Sequence, residues 1–275
     1  MVRGKALLSL LYPEDFLTRL ENMARTFPEK PSCAVIAGSG WGGYSGGDTE
    51  KVILFSDLHP SLHTGIPGHQ GIFRFVRLED TIFLFVEGRV HLYEGYGLSE
   101  VLIPLTFAYL LGVRIVVLTS ASGSLSPFLS PGSVLVLSDQ IDWTFIPDFL
   151  PRAQFDESLQ EIALSCARRF NLEAIRGVYV GVLGPSFETA AEIRMLGYFG
   201  GHAVGMSTVK EAKWATALGL KVLGLSLVTN WGTGLSSSSL THEEVLSLAG
   251  LKKPVLHAFL RDLIVEVLHE DCRES

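Results

Sequence analysis

The segment best equipped for chemistry follows a short apolar run that ends at Val86. Residues 87–96 are Glu-Gly-Arg-Val-His-Leu-Tyr-Glu-Gly-Tyr, so Arg89, His91 and Tyr93 alternate along the chain. In an extended chain these three side chains project to one side. A guanidinium, an imidazole and a phenol on one side are costly in an apolar core, but they suit a phosphate or a hydroxylated ligand. The segment therefore predicts a ligand-binding surface, with a solvated sheet edge as the alternative.

A glycine-rich turn follows the first apolar run. In the segment 38–40, Gly-Ser-Gly, the glycines allow backbone N–H groups to converge on an anion, and Ser39 adds a hydroxyl donor. With Gly43 the segment also matches the dinucleotide-binding pattern, and Asp57 lies near the position of the ribose-binding acid. Residues 44–48, however, are typical of a loop, whereas a dinucleotide site requires a helix there. The sequence favours an anion-binding turn, with a plain strand-exit turn as the alternative.

Three other polar segments follow apolar runs. Ser186 resembles the nucleophile of a hydrolase elbow, but Glu188 stands where the elbow requires glycine. Glu188 is then either a functional carboxylate or the first residue of a helix. Ser207 is expected to cap a helix and to meet an anion there, and Asn230 ends the last apolar run. No serine–histidine–aspartate order, carboxylate pair or metal-binding cluster stands out, so no metal site is expected.

Alternating strands and helices must position these segments. Short apolar runs predict strands at 33–37, 52–55, 72–78, 82–86, 115–119, 134–137, 178–182 and 222–228. Helical patterns cover 13–26, 98–111, 156–170, 188–198, 209–218 and about 241–268. The alternation predicts an α/β fold, a single domain over residues 1–275 with a mixed central β-sheet flanked by helices on both sides. Strand ends are where such sheets assemble their sites.

The composition excludes several classes of protein. Hydrophobic residues make up 47% of the 275 and charged residues 19%, which provides a large core and excludes disorder. With 22 basic and 29 acidic residues the net charge is −7, which argues against a nucleic-acid or membrane partner. Three distant cysteines without zinc-site spacing indicate a reducing compartment, and the apolar run at 6–12 is too short for a membrane span. We therefore expect a soluble cytoplasmic protein.

Eight short motifs occur in a fixed order between Ala34 and Val245. They are Gly-Ser-Gly at 38–40, Pro-Gly-His at 67–69, the segment 87–96, Leu-Gly-Val at 111–113, Gly-Pro-Ser-Phe-Glu-Thr at 184–189, Ala-Val-Gly-Met-Ser-Thr-Val at 203–209, Thr-Asn at 229–230 and His-Glu-Glu-Val at 242–245. Each motif alone is weak evidence for membership of a family. In this order and combination they resemble the trimeric purine nucleoside phosphorylases.

The resemblance implies a pentosyltransferase of purine salvage, a glycosyltransferase that cleaves purine (deoxy)ribonucleosides reversibly with phosphate. The products are the free purine base and (deoxy)ribose 1-phosphate, and inosine and guanosine are the expected substrates. The alternatives are specificity for adenosine or methylthioadenosine, or a nucleoside-binding homologue without turnover. His242 argues against methylthioadenosine, since enzymes for that substrate need an apolar residue where the 5′-hydroxyl partner sits. The resemblance also implies a homotrimer.

The resemblance assigns roles to twelve residues. By similarity, the phosphate site comprises Ser39, His69, Arg89, His91, Ala121 and Ser207, with His69 on a mobile loop that closes over the anion. The nucleoside site comprises Tyr93, Phe187, Glu188, Met206, Asn230 and His242, the last bonding the 5′-hydroxyl. The expected catalytic residues are His91, Glu188 and Asn230.

The expected reaction needs neither metal nor organic cofactor. Breaking the glycosidic bond develops positive charge on the sugar and negative charge on the departing purine. A phosphate dianion stabilises the first charge, and donors aimed at the base stabilise the second. Asn230 can donate to the purine N7, while Glu188 can accept from the N1–H of a 6-oxopurine. Electrostatics and positioning are therefore sufficient.

The sequence departs from the family pattern in three places. Trp231 replaces the lysine that follows the Thr-Asn pair, which removes a cation near the base and leaves the purine preference open. Residues 119–124 are Thr-Ser-Ala-Ser-Gly-Ser in place of Thr-Asn-Ala-Ala-Gly-Gly. The loop at 144–154 is shortened, and in the family this region sends a phenylalanine into a neighbouring subunit. Three residues remain candidates for that role: Phe145, Phe149 and Phe155.

Overall fold

Nine strands and eight helices make up the part of the chain that the computed structural model describes, residues 2–65, 70–236 and 242–274. Side chains are described over 4–65, 70–236 and 247–270. The strands are β1 (Cys33–Ala37), β2 (Asp48–Leu54), β3 (Ile72–Leu78), β4 (Thr81–Glu87), β5 (Ile115–Ser124), β6 (Val134–Trp143), β7 (Ala174–Val182), β8 (Ala203–Gly205) and β9 (Lys221–Trp231). The helices are α1 (Val2–Leu8), α2 (Glu14–Arg25), α3 (Phe55–Leu58), α4 (Leu98–Leu110), α5 (Glu157–Arg169), α6 (Ala190–Tyr198), α7 (Val209–Ala217) and α8 (His242–Glu274).

The strands form one mixed sheet in the order β2-β3-β4-β1-β5-β8-β7-β6-β9. Strand β9 also pairs with β5, so the strands from β5 to β9 close into a ring. Strand β1 lies parallel to both β4 and β5, and β5 lies parallel to β9. The pairs β2–β3, β3–β4, β5–β8 and β6–β9 are antiparallel. The predicted α/β fold with a mixed central sheet is confirmed.

Helices cover both faces of the sheet because its central strands are apolar on both faces. Every residue of β1 is buried, as expected for a strand covered on both sides. On one face Phe107 of α4 and Trp214 of α7 pack in the larger core cluster. On the other face Leu159 of α5 and Phe259 of α8 pack in a second cluster. The two layers hold the strand ends in fixed positions.

The sequence placed most elements correctly but several limits were wrong. The bounds of β1 and β3 are confirmed, whereas β5 and β9 continue into polar residues beyond the predicted ends. They continue because backbone pairing needs no apolar side chain, and Ser120 pairs in register with Ser226. Helix α6 begins at Ala190 rather than at Glu188, since Thr189 Oγ1 accepts the Glu192 N–H and caps the helix. Helix α1 was not predicted.

Loop geometry also separates the competing interpretations of the glycine-rich turn. The segment 42–47 is a loop that leads into β2, without the helix that a dinucleotide site requires. The predicted loop is confirmed, and it disfavours a dinucleotide site. Within the described ranges, no helix combines the length and apolar character needed to cross a bilayer.

Candidate active site

One cleft, open to solvent, collects the polar residues that end the strands. Its walls come from the segments that follow β1, β4 and β7 and from the ends of β5, β8 and β9. Ten of the twelve residues predicted for the site line this cleft: Ser39, Arg89, His91, Tyr93, Ala121, Phe187, Glu188, Met206, Ser207 and Asn230. The other two, His69 and the His242 side chain, lie outside the described residues.

The Arg89 guanidinium is fixed in the wall of the cleft. Its Nε lies 3.0 Å from both carboxylate oxygens of Glu211, and its Nη1 donates to the Thr119 carbonyl oxygen at 2.5 Å. Arg89 and Glu211 are both buried. Gly38 leaves the room for this arrangement, because a Cβ there would collide with Arg89 Nη1 and the Thr119 oxygen. The positive charge is therefore held in one position, ready for an anion.

His91 is held as a neutral ring. Glu94 Oε1 lies 2.8 Å from His91 Nδ1 and also accepts the His91 backbone N–H at 2.9 Å. Because a carboxylate oxygen only accepts, Nδ1 carries a ring hydrogen, and in the neutral ring Nε2 is therefore unprotonated. Burial, followed by the positive charge of Arg89, lowers the pKa of His91 to about 3. A neutral imidazole with an acceptor nitrogen therefore lines the cleft at physiological pH.

The chain is extended at His91 but not through Tyr93, so the alternation considered for Arg89, His91 and Tyr93 does not hold for the third residue. Strand β4 ends at Glu87, and Leu92–Glu94 form a short 3-10 turn that places Glu94 beneath His91. Tyr93 nevertheless lines the same cleft and stacks on His91, with ring centroids 4.7 Å apart. Burial and the nearby Glu94 raise the pKa of Tyr93 to about 12, so its phenol remains a hydrogen-bond donor.

Ser207 does not cap α7, contrary to the prediction. Thr208, whose backbone is left-handed (φ 76°), is the capping residue, and its N–H donates to Glu211 Oε2 at 3.1 Å. Ser207 therefore lies one residue before the cap, where its hydroxyl contacts Thr208 Oγ1 at 3.2 Å and lines the cleft. Glu211 joins Arg89 to the start of α7. Sequence reasoning missed this carboxylate, although an acidic residue in the first helical turn is a common capping signal.

The cleft is also lined by the carboxylate of Glu188 and the carboxamide of Asn230. Burial raises the pKa of Glu188, which is partly buried beside the half-exposed Phe187. The Asn230 amide is oriented by its neighbours: Oδ1 accepts from Thr229 Oγ1 at 2.9 Å, and Nδ2 donates to the Trp231 carbonyl oxygen at 3.0 Å. Trp231 itself is partly buried and does not line the cleft.

The altered segment 119–124 continues β5 and supplies a chain of serine hydroxyls. Ser120 Oγ donates to Ser226 Oγ at 3.0 Å, and Ser226 Oγ donates to Ser122 Oγ at 2.8 Å. Ser120 and Ser122 both line the cleft, and no role was predicted for either residue. The signal available in the sequence was the alternation of small polar residues at the end of an apolar strand.

The loop at 144–154 is anchored by buried charge. Lys210 Nζ lies 2.5 Å from Asp148 Oδ2 and donates to the Ile146 carbonyl oxygen at 2.7 Å. Phe155 is buried in the core, whereas Phe145 is 76% exposed and Phe149 is 52% exposed. Only these last two of the three candidate phenylalanines have rings available to a neighbouring molecule.

Within the described ranges, no group of three or more His, Cys, Asp or Glu side chains is arranged to hold a metal ion.

The chain matches the sequence model of the Phosphorylase superfamily over residues 34–265. It is 32% identical over 254 residues to purine nucleoside phosphorylase 1 of Geobacillus stearothermophilus, covering 86% of this chain and 92% of that one. It is 35% identical over 235 residues to purine nucleoside phosphorylase of Mycobacterium tuberculosis, and the match covers 84% of this chain and 88% of that one. A crystal structure of Schistosoma mansoni purine nucleoside phosphorylase with inosine superposes on this chain with a TM-score of 0.81 at 28% identity. The superposition covers 91% of this chain and 95% of that one.

Proposed function

This chain belongs to the phosphorylase superfamily, and from that premise we propose that it is a purine nucleoside phosphorylase acting on inosine and guanosine. The observation that carries the proposal is the convergence, in one cleft, of a fixed guanidinium with a carboxylate and a carboxamide. Arg89 supplies the positive charge for phosphate, while Glu188 and Asn230 supply the groups that recognise a 6-oxopurine. The proposed physiological setting is purine salvage in the cytoplasm.

The phosphate dianion is proposed to bind among Ser39, Arg89, Ser207 and the backbone at Ala121, all of which line the cleft. The neutral His91 ring accepts a hydrogen bond at Nε2 from a protonated phosphate oxygen or a ribose hydroxyl. Glu211 holds the guanidinium in place, so little reorganisation is needed when the anion arrives. Charge is thereby concentrated beneath the sugar, where positive charge develops as the glycosidic bond breaks.

The departing base is proposed to be stabilised by Asn230 and Glu188. Asn230 Nδ2 donates to the purine N7 as that atom gains negative charge, and Glu188 in its ionised form accepts the N1–H. Tyr93 and Met206 contact the ribose, and Phe187 packs against the purine ring. The roles of His69 and His242 are proposed from the resemblance alone. Inorganic phosphate is the co-substrate, and no cofactor is required.

The protein is proposed to act as a homotrimer. The anchored loop at 144–154 presents Phe145 and Phe149 to the outside, consistent with an aromatic side chain that completes the nucleoside site of a neighbouring subunit. Phe155 is buried in the core, which argues against that role for it. Analytical ultracentrifugation of the wild-type protein tests the oligomeric state directly.

Adenosine is the substrate that competes most directly with this proposal. Trp231 leaves the site without the family's lysine, and a structure of the Schistosoma mansoni enzyme with adenosine also superposes on this chain, with a TM-score of 0.78. The deciding experiment measures phosphate-dependent release of free base from inosine, guanosine, adenosine and methylthioadenosine. Rapid turnover of inosine and guanosine alone supports the proposal, whereas preferred turnover of adenosine overturns the 6-oxopurine preference. Binding of nucleoside without any turnover would assign the protein to a non-catalytic class.

A further inference from the structure

A buried phenol stands behind the wall of the cleft without a role in the chemistry described above. Tyr179 on β7 is 0% exposed, and its hydroxyl makes no hydrogen bond of good geometry within the part of the chain that the structure describes, although Ser207 and Ser120 lie close to it. Leaving a buried hydroxyl unpaired costs free energy, and nearly all such groups in proteins are paired. The position therefore calls for a partner that arrives with the ligand or a rearrangement that the ligand causes.

The phenol oxygen lies on the anion side of the cleft. Its polar neighbours are Ser207 and Ser120, both of which line the cleft, whereas the Tyr179 ring does not. Gly205 permits this close approach, because a Cβ there would collide with the phenol oxygen and lie 3.0 Å from the Ala121 carbonyl oxygen. A larger residue at position 205 would push the phenol away from the wall.

The hydrogens of the two neighbouring serines are disposed differently. Ser120 Oγ donates its hydrogen to Ser226 at 3.0 Å, so that hydrogen is committed to the serine chain. Ser207 Oγ contacts Thr208 Oγ1 at 3.2 Å in a pair whose donor is not fixed. Burial raises the pKa of Tyr179, so its phenol keeps its hydrogen and acts as a donor. The orientation of the Ser207 hydroxyl is therefore the feature that the phenol can control.

We propose that Tyr179 is a positioning residue of the phosphate site. When the anion binds, the phenol donates a hydrogen bond to Ser207 Oγ, which turns the Ser207 hydrogen toward the anion. The identity of the anion rests on the proposed function. Because Tyr179 lies behind the wall, its effect reaches phosphate through Ser207 and leaves the nucleoside contacts unchanged.

The test compares the wild type with Tyr179→Phe, which removes only the hydroxyl oxygen. The KM for phosphate in inosine phosphorolysis should rise about tenfold, the scale of losing the hydrogen bond from Ser207 to the charged anion, while the KM for inosine stays unchanged. The thermal midpoint without phosphate should stay the same or rise, since the variant removes an unpaired buried polar group. Added inorganic phosphate should raise that midpoint less than in the wild type.

Tyr12→Phe is the matched control. Tyr12 is also buried, but its hydroxyl pairs with Thr106 Oγ1 at 3.1 Å and the Ser99 carbonyl oxygen at 2.8 Å, away from the cleft. This variant should lower the thermal midpoint and leave the KM for phosphate unchanged. The double variant Tyr179→Phe, Ser207→Ala should bind phosphate no more weakly than Ser207→Ala alone, because the two residues act in series.

Three results would overturn the inference. An unchanged KM for phosphate in Tyr179→Phe would show that the phenol has no role at the phosphate site. If the effects of the two substitutions on the KM for phosphate add in the double variant, the phenol does not act through Ser207. Equal changes in the KM values for phosphate and inosine indicate a general structural effect instead. If the wild type shows neither turnover nor stabilisation by phosphate, the proposed function fails, and the role of Tyr179 at a phosphate site fails with it.

Discussion

Arg89 and Glu211, 122 residues apart in the sequence, form a buried ion pair in which the guanidinium Nε lies 3.0 Å from both carboxylate oxygens. Glu211 also accepts the Thr208 N–H at 3.1 Å, so one carboxylate fixes the guanidinium and the first turn of α7. An arginine paired in this way keeps its remaining N–H groups aligned. The site therefore holds its positive charge in place before any anion binds.

Glu211→Gln should destabilise the protein by about 3 kcal/mol, since removing one partner leaves a buried charge uncompensated. Phosphate should recover part of this loss, because a bound anion restores a negative charge beside Arg89. Urea unfolding with and without phosphate measures both effects. The control is Glu161→Gln, whose exposed ion pair with Arg176 should contribute less than about 1 kcal/mol. Equal losses in the two variants would contradict the importance of the buried pair.

Gly38→Ala should raise the KM for phosphate by at least about tenfold, because the new Cβ collides with Arg89 Nη1 and the Thr119 carbonyl oxygen. Displacing the guanidinium moves the charge away from its working position. Steady-state kinetics with varied phosphate tests this. Gly250→Ala on α8 is the control, since among the described residues a Cβ there meets nothing within 4 Å and should leave the kinetics unchanged. Normal phosphate kinetics in Gly38→Ala would show that the guanidinium tolerates displacement.

Asp148→Asn should lower the free energy of unfolding at neutral pH by about 3 kcal/mol. It should also reduce the amount by which that free energy falls between neutral and acidic pH. Burial opposes ionisation of Asp148, but hydrogen bonds from Lys210 and Lys213 outweigh it and lower the pKa of the carboxyl. A carboxyl with a lowered folded pKa stabilises the protein above its unfolded pKa of about 4, and this contribution is lost as the pH falls through the folded pKa. Unfolding curves between neutral and acidic pH measure the difference. The control is Asp139→Asn, whose ion pair with the exposed Arg152 should contribute less than about 1 kcal/mol to stability at neutral pH.

Glu188→Ala should reduce kcat/KM for inosine by about two to three orders of magnitude, the scale of a lost transition-state contact. Burial raises the pKa of Glu188. The midpoint of the acid limb in the wild-type pH–rate profile with inosine should therefore lie above 4.5, the pKa of an ordinary glutamate. Rates with inosine across this pH range test both statements. Glu192→Gln on α6 is the control, since that exposed residue only caps the helix. Nearly full activity in Glu188→Ala would refute the base-recognition role.

Much of the fold could be predicted because its signals are local. Strand β1 has the predicted limits, since five consecutive apolar residues have few alternatives to a strand covered on both faces. The capping of α7 could not be predicted in the same way. Ser207 and Thr208 are both good caps by residue type, and the choice of Thr208 depends on Glu211 and on the left-handed backbone at position 208.

The sequence by itself determined the α/β class, the approximate positions of the strands and the polar residues that end them. These are local properties of side-chain type and spacing. Only the tertiary structure decided which carboxylate holds Arg89, how the serines of β5 and β9 join, and that the Tyr179 hydroxyl lies behind the cleft without a well-formed hydrogen bond among the described residues. Each of these depends on strands and helices that pack together from distant parts of the chain. Their contacts are set by the shape of the whole core, and no local pattern encodes them.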